Sequence, residues 1–315
     1  MNAAVVRSFS APPRFETFAD PVAGEGEALV TVTAAGLHRI VKALADGSHY
    51  GASAEFPFIP GIDGVGRLDD GRRVYFFVAR PPFGTMAEFC VTRRASVYPL
   101  ADHLKDAEIA GSANPAMSSW AALTLRAKIA PEESVLILGA TGVSGQLAVQ
   151  IAKRLGAGRV VAAARHLEAM EPLKALGADA TIGLDAASFR EELKAHKIDI
   201  VLDYLWGAPA EAFFEAISQK GLSHTPSRMR YIQIGNSAAP EITLPAAALR
   251  STAIEVLGSG FGSAPMEKLL AAIGDFLVEA ARAPFTFRVH GISLAEVGAA
   301  WNQPEGGSRI VILPR

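Results

Sequence analysis

Cysteine is almost missing from this chain: of 315 residues, only Cys90 carries a thiol. One cysteine excludes an internal disulfide framework and a four-cysteine zinc lobe, so the fold must rest on its apolar cores. An excess of one charge is missing too. With 30 Lys and Arg against 32 Asp and Glu the formal net charge is -2, which leaves no basic footprint for nucleic acid. No apolar run reaches membrane-spanning length, and the opening MNAAVVRSFSAPPRF lacks the continuous apolar core of a signal peptide. A soluble cytoplasmic protein with no membrane partner is the expectation. Internal repeats and low-complexity segments are also absent, and the length suffices for two domains, each with its own core.

What is present is organised around SVLILGATGVSGQLAVQIAKRLGA, from Ser134 to Ala157. Val135 to Leu138 form a short apolar run suited to a central parallel strand buried on both faces. Gly139, Gly142 and Gly145 punctuate a turn, and Leu147, Ile151 and Leu155 then recur at helical spacing. Strand, glycine turn and helix in this order describe the first βα step of a dinucleotide-binding unit. There the backbone approaches a pyrophosphate, and free N–H groups with the helix dipole meet its charge. Gly139, Ala140, Thr141, Gly142, Val143, Ser144 and Gly145 are therefore the candidate phosphate cradle. The alternative is a turn whose glycines serve only close packing of helix on strand.

A second absence bears on the cofactor. In an NAD-binding unit an acidic residue about twenty positions beyond the first glycine accepts from the ribose 2′-hydroxyl. Here the second strand ends in Ala162, Ala163 and Ala164, followed by Arg165 and His166, and the first carboxylate is Glu168. A guanidinium fork suits a 2′-phosphate that a carboxylate would repel. NADP(H) is the expected cofactor, with Arg165 and His166 at the phosphate; the bland alternative makes them solvated residues at a helix start.

The segment before about Gly111 reads as short strands and turns with one short helix near Ile40, Val41 and Leu44. The spacing next predicts a helix over 117–128. Strands over 159–164, 180–182, 198–202, 230–234 and 254–257 follow, alternating with helices near 167–176, 187–196 and 208–219. That alternation argues for a doubly wound parallel sheet of the α/β class. Beyond Gly262 come an amphipathic helix bearing Leu269, Ile273, Phe276 and Leu277, a strand over 285–289, a capping box at Ser293 and Glu296, and a final strand over 309–313. The tail is expected to fold back onto the N-terminal domain, giving a β-rich domain of residues 1–112 and 264–315 around a nucleotide-binding domain of 113–263.

Read together, TAAGLH, FIPGIDGVG, GTMAEFCV, NPAMSSWAAL, the glycine turn and LKALGAD resemble the medium-chain dehydrogenase/reductase superfamily, in its zinc-independent quinone oxidoreductase (zeta-crystallin-like) branch. The resemblance spans the chain. It implies a GroES-like catalytic domain beside a Rossmann domain, NADPH as hydride donor, a quinone or α,β-unsaturated carbonyl as acceptor, and a homodimer. Zinc alcohol dehydrogenases of the superfamily carry a cysteine where His38 stands and histidine and glutamate where Ile62 and Asp63 stand. The resemblance therefore implies no catalytic metal. It also places Asp203, the turn Gly235, Asn236 and Ser237, and Gly260 in GSGFG near the nicotinamide half, where ordinary strand-end turns are the alternative. His38 is the candidate proton donor, or else a satisfied polar residue at a domain boundary. Tyr50 is the candidate pocket tyrosine, or else a packing aromatic. GATGVSG also resembles short-chain reductases, but no Tyr-x-x-x-Lys pair exists here. A non-catalytic NADPH-binding sensor and a carbonyl or alcohol dehydrogenase of the same superfamily remain the competing functions.

Overall fold

The computed structural model describes residues 1–53, 55–165, 167–184, 186–218 and 227–314. The chain divides into two compact units, Met1–Pro115 with Ile273–Arg315, and Ala116–Ala272. In the first, β1 (Asn2–Val5) pairs antiparallel with β2 (Arg14–Thr17). The ten-residue β3 (Glu27–Gly36) alternates inward Ala28, Val30, Val32 and Ala34 with half-exposed neighbours, as a sheet with one covered face requires. Helix α1 (Arg39–Ala45) follows and buries Val41 and Ala45. Strands β4 (Asp63–Arg67), β5 (Arg73–Phe77), β6 (Phe89–Arg93) and β7 (Val97–Pro99) extend the sheet around β3.

Helix α2 (Asp106–Ala121) begins eleven residues before the helix predicted from Met117, carries Pro115 in its interior, and runs into a π-helical turn, Ala122–Ala127. Its first half is built of small residues without a marked apolar period, and burial of Ile109, Ala110 and Ala113 decides it instead. The second unit then alternates: β8 (Ser134–Leu138), α3 (Val143–Arg154), β9 (Arg159–Ala164), α4 (Glu171–Ala175), β10 (Ala180–Gly183), α5 (Ala186–Lys194), β11 (Ile200–Asp203), α6 (Gly207–Ile217), β12 (Met229–Gln233), α7 (Ala246–Arg250) and β13 (Ile254–Gly258). The six strands form one parallel sheet ordered β10-β9-β8-β11-β12-β13, the doubly wound architecture. β8 is buried along its whole length, and Leu136, Leu138, Val161, Phe213, Phe214 and Tyr231 share one core.

Helix α8 (Met266–Arg282) buries Leu269, Ile273, Phe276 and Leu277 on one face. The strand predicted over 285–289 forms later, as β14 (Arg288–Ser293). Phe285 instead stacks on Phe276 at 5.0 Å between ring centroids, just past the helix-stopping Pro284. After the short α9 (Val297–Ala300), β15 (Ser308–Leu313) pairs parallel with β14 and antiparallel with β3, so the tail completes the N-terminal sheet. Among the described residues no helix is long and apolar enough to cross a membrane.

Candidate functional site

In the Ala116–Ala272 unit the glycine turn lies at the carboxyl end of β8. Gly139 has φ +89°, a conformation open to glycine and costly for other residues. The Gly139 and Ala140 amides both donate to Ala163 O, at 2.9 and 3.1 Å, which hooks the turn to the neighbouring strand. Ala140 and Val143 are buried, while Thr141 and Ser144 are partly exposed around Gly142. The glycines divide into two kinds. A Cβ on Gly145 would overlap the Gly139 carbonyl oxygen and lie 2.5 Å from Ala140 Cα, so this glycine lets α3 pack against the turn. A Cβ on Gly142 would meet only Gly139 O, at 3.7 Å. Gly142 is the N-cap of α3 and no side chain among the described residues caps that end, leaving first-turn amides without helical acceptors. Open space in front of uncapped amides fits a diphosphate.

Arg165 follows β9 and is exposed, and no carboxylate interrupts Ala162–Arg165. His166 lies outside the described residues. The Gly260 amide donates to Ser263 Oγ at 2.8 Å within a tight turn after β13.

Asp203 is placed differently from a ligand-contacting carboxylate. It ends β11 with 0 % exposure, and its oxygens accept from Leu205 N at 2.8 Å, Trp206 N at 3.0 Å and Tyr231 Oη at 2.6 Å. Burial raises its pKa above the usual carboxylate range, only partly countered by these donors. The Tyr231 phenol is raised well above its ordinary value by burial and by the Asp203 charge. Trp206 adopts φ +57°, ψ -160°, a backbone conformation that costs a non-glycine residue about 1–3 kcal/mol. The turn Gly235, Asn236 and Ser237 docks on this loop: Ser237 Oγ donates to Tyr204 O at 2.8 Å and Ala238 N to Leu205 O at 2.8 Å. A Cβ on Gly235 would come within 2.9 Å of Tyr204 O, so glycine permits the approach. The Tyr204 hydroxyl pairs with Ser119 Oγ at 2.7 Å, and burial pushes its pKa up to about 12.

In the other unit, His38 is 3 % exposed and its Nε2 lies 3.2 Å from Asp63 Oδ1, while Asp63 Oδ2 accepts from Tyr75 Oη at 3.0 Å. A Cβ on Gly36 would overlap the His38 ring, so the glycine of AAG makes room for the imidazole. Both ring nitrogens of His38 and Asp63 Oδ1 are buried without a well-aligned hydrogen-bond partner among the described residues. The nearest charged partner of the ring is therefore the Asp63 carboxylate, at a distance of an ion pair rather than in hydrogen-bond alignment. Tyr50 is 79 % exposed and lies against His49, ring centroids 4.1 Å apart. Trp206, Tyr231, Tyr204 and Tyr75 escaped the sequence reading. The one signal available was a tyrosine inside each of two strands, RVYFF and MRYIQ.

A curated relative from Emericella nidulans, described as a probable NADPH-dependent quinone reductase, is 30% identical over 364 aligned positions that cover 100% of both chains. The chain belongs to the medium-chain dehydrogenase/reductase superfamily, in its quinone oxidoreductase branch. The family model for zinc-binding dehydrogenases matches residues 144–278. Among solved structures, the quinone oxidoreductase of Thermus thermophilus, also crystallised with NADPH, has TM-score 0.83 at 28% identity, covering 99% of this chain and 100% of its own. An NAD-dependent alcohol dehydrogenase structure reaches TM-score 0.86 at 22% identity over 100% of both chains, a likeness of fold. At the superfamily's zinc positions this member offers His38, Ile62 and Asp63, and Asp63 is engaged by Tyr75. Two donors and an isoleucine do not fit a zinc site. The matched segment begins at Ser144, beyond all three. Among the described residues no group of three His, Cys, Asp or Glu is arranged to hold a metal ion.

Proposed function

We propose that this protein is an oxidoreductase that takes hydride from NADPH and delivers it, without a metal, to a quinone or α,β-unsaturated carbonyl. The observation that carries the reading is the uncapped α3 N-terminus with open space at Gly142, followed by an alanine run and Arg165 where NAD-binding units place a carboxylate. The named relative and the quinone oxidoreductase structure agree with it. NADPH, when bound, supplies the hydride.

The chain's own residues bind, orient and manage the proton. The amides of Val143, Ser144 and Gly145 would hold the diphosphate, and Arg165, which His166 follows in sequence, would hold the 2′-phosphate. The 203–207 and 235–237 loops and Gly260 shape the nicotinamide end. We assign the cofactor to the domain of residues 113–263 and the acceptor to the domain of 1–112 and 264–315. There Asp63 orients the His38 imidazole as proton donor to the reduced acceptor, and Tyr50 supplies an aromatic wall. Cys90 takes no part: its thiol is buried and burial raises its pKa far above the ordinary range. Two finer readings accompany this one, a cytoplasmic location and a homodimer. β13 is an edge of the parallel sheet and exposes Val256, so a second copy has a strand to pair with.

The test is NADPH and NADH oxidation by metal-free protein against quinones, enones and simple aldehydes, with light scattering for mass. NADPH-preferring turnover of a quinone or enone is the expected result. Saturable NADPH binding with no turnover of any acceptor would refute it in favour of a sensor.

A further inference from the structure

The turns that follow β8, β11 and β12 in the Ala116–Ala272 unit are tied together at the end of β11, where Asp203 stands. Asp203 closes β11, and its oxygens collect the Leu205 and Trp206 amides from the following turn and the Tyr231 hydroxyl from β12. Its backbone oxygen takes the amides of Ile234 at 2.8 Å and Gly235 at 3.1 Å, which lead into the 235–237 turn. That turn returns two bonds to Tyr204 O and one, through Ala238 N, to Leu205 O. Leu205 in turn closes on the glycine turn of β8, since a Cβ on Gly139 would fall 2.9 Å from Leu205 Cδ2. The loops that face a nucleotide at the carboxyl ends of β8, β11 and β12 are thus a single network.

The geometry of Trp206 says which member holds the rest. At φ +57°, ψ -160° an L-residue relaxes toward negative φ unless its surroundings hold it. What holds it here is the Asp203 carboxylate on its amide, with Gly207, φ +60°, continuing the turn into α6. The carboxylate is aimed by Tyr231, whose ring lies against Phe214 at 4.8 Å and Trp206 at 6.3 Å. With 0 % exposure and three donors, Asp203 has no face left for a ligand.

We propose that Asp203 and Tyr231 are positioning residues for NADP(H): they clamp the left-handed Trp206 turn, and through it hold the 203–207 and 235–237 loops against the glycine turn in the arrangement that receives the nucleotide. The proposal rests on the reading of this unit as the NADP(H) domain, and replaces direct contact by Asp203 with action through the backbone.

NADPH fluorescence titration tests it, with folding checked by circular dichroism and thermal unfolding. Tyr231→Phe keeps the ring and removes the bond to the carboxylate. It raises the NADPH Kd about three- to tenfold, the loss of one hydrogen bond to a charged group transmitted in part to the loop. Asp203→Ala raises it more than about tenfold because the whole clamp goes. Trp206→Gly supplies a residue that takes the turn unaided, so in that background Tyr231→Phe loses most of its effect, a coupling that a merely stabilising role does not produce. An unchanged Kd in folded Tyr231→Phe overturns the proposal, as does a Tyr231→Phe penalty undiminished in the Trp206→Gly background. If Asp203→Ala does not fold, Tyr231→Phe decides alone. Failure of the wild-type protein to bind NADPH overturns the functional reading and the clamp together; binding by wild type with an unaffected Tyr231→Phe overturns the clamp only.

Discussion

Replacing Gly142 with alanine separates binding from stability in a way that no other glycine of the turn allows. Gly142 sits at φ -70°, ψ 159°, which alanine adopts freely, and its Cβ would meet nothing closer than Gly139 O at 3.7 Å. The unfolded chain loses freedom, worth about 0.4–1 kcal/mol to the folded state. Alanine is a poorer N-cap than glycine, at a cost of about 0.5–1 kcal/mol. The two offset, so Tm stays within about 4 °C of wild type. Binding answers differently. The new methyl group stands where the diphosphate must approach the first amides of α3, and each lost bond to a charged group costs about 1.5–3 kcal/mol. At about 1.4 kcal/mol per decade the NADPH Kd rises about 10- to 100-fold. Gly145→Ala is the control: its methyl overlaps the Gly139 carbonyl and Ala140, and overpacking of about 1–3 kcal/mol lowers Tm by about 3–10 °C without ligand. The assay is NADPH titration beside thermal unfolding of the apo proteins. Wild-type affinity in Gly142→Ala, or a Tm loss equal to that of Gly145→Ala, refutes the assignment of that space to the cofactor.

Arg165→Gln lowers affinity for NADPH about tenfold and leaves NADH nearly unchanged, as expected for loss of one charge-assisted contact to a 2′-phosphate; an unchanged NADPH/NADH ratio counts against it. His38→Asn lowers kcat for quinone reduction while the NADPH Kd stays constant, and prolonged chelation leaves wild-type turnover intact; activity that returns only with added zinc contradicts the donor-set argument. Burial alone would raise the pKa of Asp199, but the Ser134 amide and hydroxyl, both at 2.9 Å, with Lys197, hold it below the usual range. A depressed folded-state pKa contributes stability above the unfolded value of about 4 that is lost as pH falls through the folded one. Asp199→Asn therefore costs about 1–2 kcal/mol at pH 7 and progressively less below about pH 4, read from urea unfolding at several pH values. Cys90, buried with a raised thiol pKa, reacts with a thiol reagent only after unfolding; fast labelling of native protein would show the burial to be wrong.

The sequence by itself determined what depends on local pattern. The apolar run of β8, the three glycines and the helical spacing of Leu147 and Ile151 specify strand, turn and helix because each step is local, and β9 was legible to the residue for the same reason. The missing acid after β9 and the isoleucine at position 62 are likewise absences that need no coordinates. Only the tertiary structure decided how distant residues complete one another. Asp203 reads from sequence as a strand-end acid near a nicotinamide, yet Tyr231, 28 positions away, turns it inward and makes it a buried clamp. The start of α2 was hidden because its small residues gain their helix from burial rather than from periodicity, and Phe285 left the predicted strand because Phe276 offered it a core. Gly142 and Gly145 are the same letter in the same motif. What lies where their side chains would be, open space for one and a carbonyl for the other, is set by how the chain packs on itself.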